Sequence, residues 1–163
     1  MNARIRALPL TAERFAPFGD VIEASAGRQR PMNSARFERF ADLADVDAGD
    51  DGHPSISIAR CRTATQMPYR IDMLERHPLA SQAFVPLTEF VFVVAVAPAD
   101  EAAELDALQA FVTNGRQGVN YRPGVWHMPM IALQAGQEFL IVDRAGDGNC
   151  EEQYLDEPIL LEI

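Results

Sequence analysis

YRIDMLERHPLASQAFVPLTEFVFVVAVAP, residues 69 to 98, contains three short runs of β-type pattern: YRIDMLERH at 69–77, QAFVPL at 82–87 and EFVFVVAVA at 89–97. Pro78, Pro86 and Pro98 punctuate them. Short runs rich in branched and aromatic side chains and bounded by breakers read as strands. The same signature recurs outward in both directions, as DVIE at 20–23, SISIAR at 55–60, QEFLIVDR at 137–144 and PILLEI at 158–163. Pro68, Asn114-Gly115, Pro123-Gly124, Pro129 and Gly146-Asp147-Gly148 separate these runs at intervals that suit a sandwich or a small barrel. The expected fold class is therefore all-β, or mainly β. Two helical segments are expected beside the strands. One starts at Thr11 as N-cap, with Leu10 packing on Phe15 as a hydrophobic staple, and stops at Pro17 and Gly19. The other covers DEAAELDALQAF (100–111), with acid in its first turn and Leu105, Leu108 and Phe111 spaced for one face; its second half reads equally well as strand.

The remaining sequence bounds the problem. A chain of 163 residues, 48% hydrophobic and 23% charged, is read as a single domain over 1–163. Folding at this size buries roughly 70% of the unfolded surface, so no metal or disulfide is needed to hold it together. Fourteen basic residues against 24 acidic ones leave a net charge of −10, the wrong sign for a protein that neutralises phosphates, so no nucleic-acid partner is expected. All the basic residues are arginine. Schiff-base chemistry and a lysine phosphate loop are thereby excluded, and no glycine-rich loop opens a helix, so no nucleotide cofactor is expected. The opening MNARIRALPLTAERF lacks the apolar run of a signal peptide, and no uncharged stretch approaches a membrane span. With only Cys61 and Cys150, the expectation is a reduced cytoplasmic protein with no membrane partner. Residues 42–55, DLADVDAGDDGHPS, read as a solvated surface loop; Ile56 stands where a calcium loop needs its closing glutamate. Residues 25–40 show no sustained period.

Chemistry is expected in two places. Strand alternation over 69–77 puts Tyr69, Ile71, Met73, Glu75 and His77 on one side and Arg70, Asp72, Leu74 and Arg76 on the other. Glu75 and His77 then form either an exposed ion pair at a strand end, or two potential ligands facing a barrel interior, with Gln82 following on the next strand. In GVNYRPGVWHMP (118–129) a Pro-Gly turn leads to His127, with Asn120, Tyr121 and Trp126 nearby. The alternative there is a hairpin with Trp126 in the core and His127 satisfied by a backbone carbonyl. His53 reads as surface, Cys61 as a small hydrophobe, and Cys150 has no histidine partner that would make it a nucleophile. The serines lack a nucleophile-elbow context.

Taken in order, PLTAERFAPFGDVIE, ERHPLASQAFVPL, FVTNGRQGVNYRPGVWHMP and FLIVDRAGDGNCEE make the chain resemble the ureidoglycolate lyase family over nearly its whole length. The resemblance implies a cupin-like double-stranded β-helix barrel with a few short helices, a homodimer, and cleavage of ureidoglycolate to glyoxylate and urea in allantoin degradation. By likeness to cupin motifs it implies Glu75, His77, Gln82 and His127 as ligands of a divalent metal, nickel being suspected, and Glu75, His77, His127 and Tyr121 as catalytic groups. Substrate contacts are assigned to Arg76, Gln82, Asn120, Arg122 and Trp126, with Arg76 and Arg122 as candidates to clamp the substrate carboxylate. Without a metal, Glu75 or His127 would act as general base and Tyr121 or His77 as proton donor. Met128 departs from the family, whose members commonly carry a second histidine after Trp-His. Two rivals stand beside the lyase: an amidohydrolase that releases ammonia and carbon dioxide, and a silent cupin-like module that binds a small hydroxy acid or ureide.

Overall fold

The long apolar run at 89–97 is explained by burial on both sides. In the computed structural model, which describes residues 3–24 and 28–163, Val93–Ala97 is a strand whose five residues are all buried. Val94 and Val96 join one hydrophobic cluster, while Val93, Ala95 and Ala97 join another. A strand with an apolar cluster on each face reads as a continuous hydrophobic run.

That strand is β9 of fourteen among the described residues: β1 (Arg4–Arg6), β2 (Leu8–Pro9), β3 (Gly19–Ile22), β4 (Arg28–Met32), β5 (Phe37–Ala41), β6 (His53–Arg60), β7 (Tyr69–Arg76), β8 (Gln82–Pro86), β9, β10 (Gln109–Val112), β11 (Gly118–Tyr121), β12 (Trp126–His127), β13 (Glu138–Ala145) and β14 (Glu151–Glu162). A seven-stranded sheet runs β1-β14-β7-β12-β9-β10-β2, a five-stranded sheet runs β3-β11-β8-β13-β6, and β4 with β5 makes a separate hairpin. The two large sheets share the first cluster, built from Phe15, Phe18, Phe84, Phe92, Phe111, Val119, Tyr121 and Phe139 among others. Phe139 meets Phe90 and Phe92 edge to face, each at 5.0 Å between ring centres. This is the interior of a nearly closed, cupin-like β-barrel. The second cluster, including Ile71, Leu74, Trp126, Met128, Ile159 and Leu161, lies on the outer face of the seven-stranded sheet.

The expected strands at 20–23, 55–60, 69–77, 82–87, 89–97, 137–144 and 158–163 are all present, with shifted ends. Thr11 caps the one α-helix among the described residues, α1 (Ala12–Phe15), its hydroxyl accepting from the Arg14 N–H at 3.2 Å, and Leu10 and Phe15 share the interior cluster. The helix expected over 100–111 is not there. Only a single 3₁₀ turn forms at Leu105–Ala107, and Gln109–Val112 is strand β10, paired antiparallel to β9 and parallel to β2. Pairing buries Ala110 and Phe111 on opposite faces, which outweighs a modest helix propensity.

Three further expectations are corrected. The strict alternation read over 69–77 breaks: Ile71 and Leu74 belong to the same outer cluster, with Tyr69 packed against it. The phase slips where β14 has a register shift between Tyr154 and Ile159 opposite β7. The stretch at 25–40, read as patternless, forms the β4–β5 hairpin from residue 28 on; residues 25–27, like 1–2, lie outside the described residues. Most of the described side chains of this hairpin are exposed, so no apolar face exists to read. Finally, 42–55 is anchored at its centre, not freely solvated. The Asp47 N–H donates to Ser81 Oγ and the Ser81 N–H to the Asp47 carbonyl, both at 2.9 Å, and the Arg144 guanidinium donates to the Ala48 carbonyl.

Candidate active site and metal centre

β12 is two residues long and lies between β7 and β9, with His127 opposite both Glu75 and Val96. Residues directly opposite in an antiparallel pair share a face. Val96 is interior, so Glu75 and His127 point into the barrel. His77 follows the end of β7, and its ring centre lies 5.4 Å from that of His127. Ligand atoms of Glu75, His77 and His127 all lie within 4.8 Å of one another, and Glu75 Oε1 stands 3.5 Å from His127 Nε2. The surface ion pair considered for Glu75 and His77 is thus replaced by a three-residue cluster at the mouth of the barrel.

Two backbone carbonyls orient the imidazoles. His127 Nδ1 faces the Val125 carbonyl at 3.0 Å, and His77 Nδ1 faces the Asn149 carbonyl. A carbonyl only accepts, so each Nδ1 carries the proton and each Nε2 is left with its lone pair. Both Nε2 atoms are buried and have no hydrogen-bond partner, as is Gln82 Oε1. Gln82 lies opposite Tyr121, on the interior face of β8. Two lone pairs and a carboxylate converging on one spot repel each other unless a cation lies between them. Donors that share one ion at about 2.1 Å each sit roughly 3–3.5 Å apart, so the Glu75–His127 separation suits joint coordination. The donor set therefore fits a divalent metal.

Electrostatics supports the same picture. When His127 also carries a proton on Nε2, its hydrogen bond to Glu75 holds that carboxyl below the usual range despite burial; a bound cation would take the place of that proton. Burial pushes His77 down, against the opposing pull of the Asn149 carbonyl, so it favours the neutral, ligating form. Tyr121 stacks on His127 at 4.3 Å with an 18° interplanar angle, and burial, followed by the Glu75 charge, pushes its phenol far above the ordinary value. It stays protonated and holds one face of the imidazole.

Several sequence candidates lie elsewhere. Arg76 stacks over Trp126, 4.7 Å from the ring centre, and is paired with Glu151. Trp126 donates to the Asp100 carbonyl at 3.1 Å and belongs to the outer cluster, so neither faces the barrel interior. Asn120 sits opposite Asp20 and Ala83 on the outer face of β11, donating to Asp20 Oδ2 and to the Asp45 carbonyl. Arg122 is exposed and lines a separate cleft with Asp20 and Asp42. Met128 belongs to the outer cluster, so a histidine at that position would not meet the three-residue centre by simple replacement.

What sequence reasoning missed is a cavity of about 240 Å³ against the cluster, lined by His77, Asp143, Arg144, Gly146, Gly148, Asn149 and Cys150. Arg144 lines this cavity, whereas Arg76 and Arg122 do not. Its Nε is buried without a partner, and its guanidinium rests on residues 48–52, where a Cβ on Gly52 would lie 1.8 Å from Nη1. Asp143 had a readable signal. Phe139 and Ile141 pack on the interior cluster, and alternation carries an acid onto that apolar face two residues later.

Comparison with known proteins agrees with this architecture. A family model described as ureidoglycolate lyase matches residues 2–162. A ureidoglycolate lyase of Burkholderia mallei (strain NCTC 10229) is 52% identical over 157 residues, covering 94% of this chain and 90% of that protein. One from Pseudomonas syringae pv. syringae (strain B728a) is 51% identical over 155 residues, covering 94% and 91%, and one from Pseudomonas aeruginosa (strain LESB58) is 45% identical over 157 residues, covering 94% and 93%. Identity at this level along both chains, on a barrel that brings Glu75, His77 and His127 together, leaves one conclusion: the chain belongs to the ureidoglycolate lyase family.

Proposed function

We propose that this protein cleaves ureidoglycolate to glyoxylate and urea, as the names of its relatives suggest. The observation that carries the reading is the convergence of Glu75 with two buried, partnerless imidazole nitrogens beside a cavity holding one arginine. Glu75, His77 and His127 would hold a divalent ion, with Gln82 on the same interior face, and nickel would suit a site rich in imidazole. Such an ion, when bound, lowers the pKa of a substrate hydroxyl. The chain belongs to allantoin catabolism on this reading, acting in the cytoplasm as a homodimer.

The reaction needs a proton taken from the hydroxyl of the central carbon and a proton given to the departing nitrogen. Glu75 accepts the first through a carboxylate oxygen and returns it to the nitrogen as the C–N bond breaks and its electron pair stays with urea. The C–O single bond becomes the aldehyde, and atoms balance without water. Arg144 draws the substrate carboxylate into the cavity, providing local attraction in a protein whose net charge repels an anion. Tyr121 keeps the His127 ring in place. Incubating purified protein with ureidoglycolate while measuring urea, ammonia and glyoxylate separately tests the reading. Urea and glyoxylate in equal amounts are expected, and release of ammonia in place of urea would assign the chain to amidohydrolase chemistry.

A further inference from the structure

The reaction proposed above uses the carboxylate, hydroxyl and ureido nitrogen of the substrate, and assigns nothing to the terminal amide that distinguishes a ureide from any other N-acyl hydroxy acid. On that reading of the reaction, we propose that Asp143 selects the ureido group, its carboxylate accepting hydrogen bonds from the paired N–H groups of the urea moiety.

Placement supports this first. Ile141 lies opposite Phe84 in the β13–β8 ladder, and both pack with the interior cluster. Two residues on, the pleat returns Asp143 to the same face, beside the barrel mouth, where it lines the cavity with His77. Its freedom points the same way. Asp143 is half-buried, yet among the described residues its carboxylate has neither a hydrogen bond nor an ion pair, although Arg144 is its neighbour in sequence. Arg144 instead reaches to the Ala48 carbonyl. Chemistry decides the ligand. An ionised carboxylate only accepts, with two oxygens side by side, and the N–H groups on the same side of a urea present two donors at matching separation. The cavity thus offers a cation for the anionic end of the substrate and an acceptor for its donor-rich end. An acetyl group in place of the carbamoyl group would leave one of these hydrogen bonds unmade, and a site built around such a bond discriminates strongly against its absence.

The test uses two stable probes that lack the reacting hydroxyl: N-carbamoylglycine and N-acetylglycine, which differ at the amide terminus alone. Binding of each to the purified protein is measured by calorimetry, with ureidoglycolate turnover followed on the same preparation. The wild-type protein is expected to bind N-carbamoylglycine about tenfold or more tighter, the effect of one hydrogen bond to a charged group. In Asp143→Ala the two affinities should converge, N-carbamoylglycine, which loses two hydrogen bonds, weakening about tenfold more than N-acetylglycine, which loses one. Asp143→Asn, which keeps the shape, should fall between, and thermal melting checks that both variants are folded. Equal affinities in the wild type, a preference that survives in Asp143→Ala, or an equal loss for both probes would overturn the assignment. Absence of ureidoglycolate turnover by the wild type, with the preference intact, would instead overturn the lyase reading.

Discussion

The proposed chemistry rests on the tautomers of two histidines. Asn149 and Val125 each present a carbonyl to one nitrogen of a ring and thereby commit the other nitrogen to the barrel interior. Removing either imidazole takes away a donor that no neighbour can replace. His77→Ala and His127→Ala should each lower turnover at least about 100-fold, with melting temperature and circular dichroism near wild type. His53, exposed at the start of β6, should tolerate alanine without effect. Asn120 should behave in the opposite way to the histidines. It is fully buried and donates to Asp20 and to the Asp45 carbonyl, so Asn120→Ala should cost about 1–3 kcal/mol in denaturant unfolding while turnover per folded molecule is kept. At this scale the sequence was informative about type and less so about direction. Strand patterning left Glu75 and His127 open between structural and ligating readings, and it was the family resemblance that set them together as candidate ligands. Trp126 and Arg76 lie beside them in the chain but on the opposite face, as alternation over 69–77 already places Arg76 relative to Glu75.

Strand β13 and the segment over it form the working wall of the cavity. Gly52 is needed where it stands, because a Cβ would meet Nη1 of Arg144 at 1.8 Å and the Ala48 carbonyl oxygen at 2.1 Å. Gly52→Ala should therefore displace the guanidinium and raise KM severalfold while altering kcat by less than about twofold, the pattern of lost uniform binding. Arg144→Ala should do the same more strongly. The acid-rich appearance of 42–55 concealed this support, since its anchoring runs through backbone groups to Ser81 and Arg144, which no side-chain pattern records. Residues 100–111 teach the related lesson. Leu105, Leu108 and Phe111 fit a helical spacing, but β9 offered an edge for Gln109–Val112, and ladder pairing settled the matter. Amide exchange should show protection at Ala110 and Phe111 and rapid exchange at 100–102.

At the scale of the whole molecule, a double-sided sheet separates packing from chemistry. The interior aromatic cluster fills one end of the barrel, leaving the other for Glu75, His77 and His127, while the outer cluster stabilises β7, β9 and β12 from behind. Phe139→Ala should cost about 3–5 kcal/mol and Leu74→Ala about 2–5 kcal/mol, since one residue interlocks with three aromatic rings and the other is fully buried. Replacing the exposed Ile56 by serine should change stability by no more than about 0.5 kcal/mol. Barrel class was legible because turn residues and apolar runs alternate along most of the chain, but the short strands β1, β2, β4 and β5 were not, since they carry too few residues or too little buried face to show a pattern. The meeting of residues 75–77 with residue 127 followed from the family resemblance and not from local pattern, since it depends on the insertion of a two-residue strand between β7 and β9. The central claim is that this meeting makes a one-cation centre on which turnover depends. Chelated protein titrated with nickel while urea release is followed tests it most directly. Release should vanish on chelation and return in proportion to added metal, levelling at one ion per chain; full release from metal-free protein would contradict the claim.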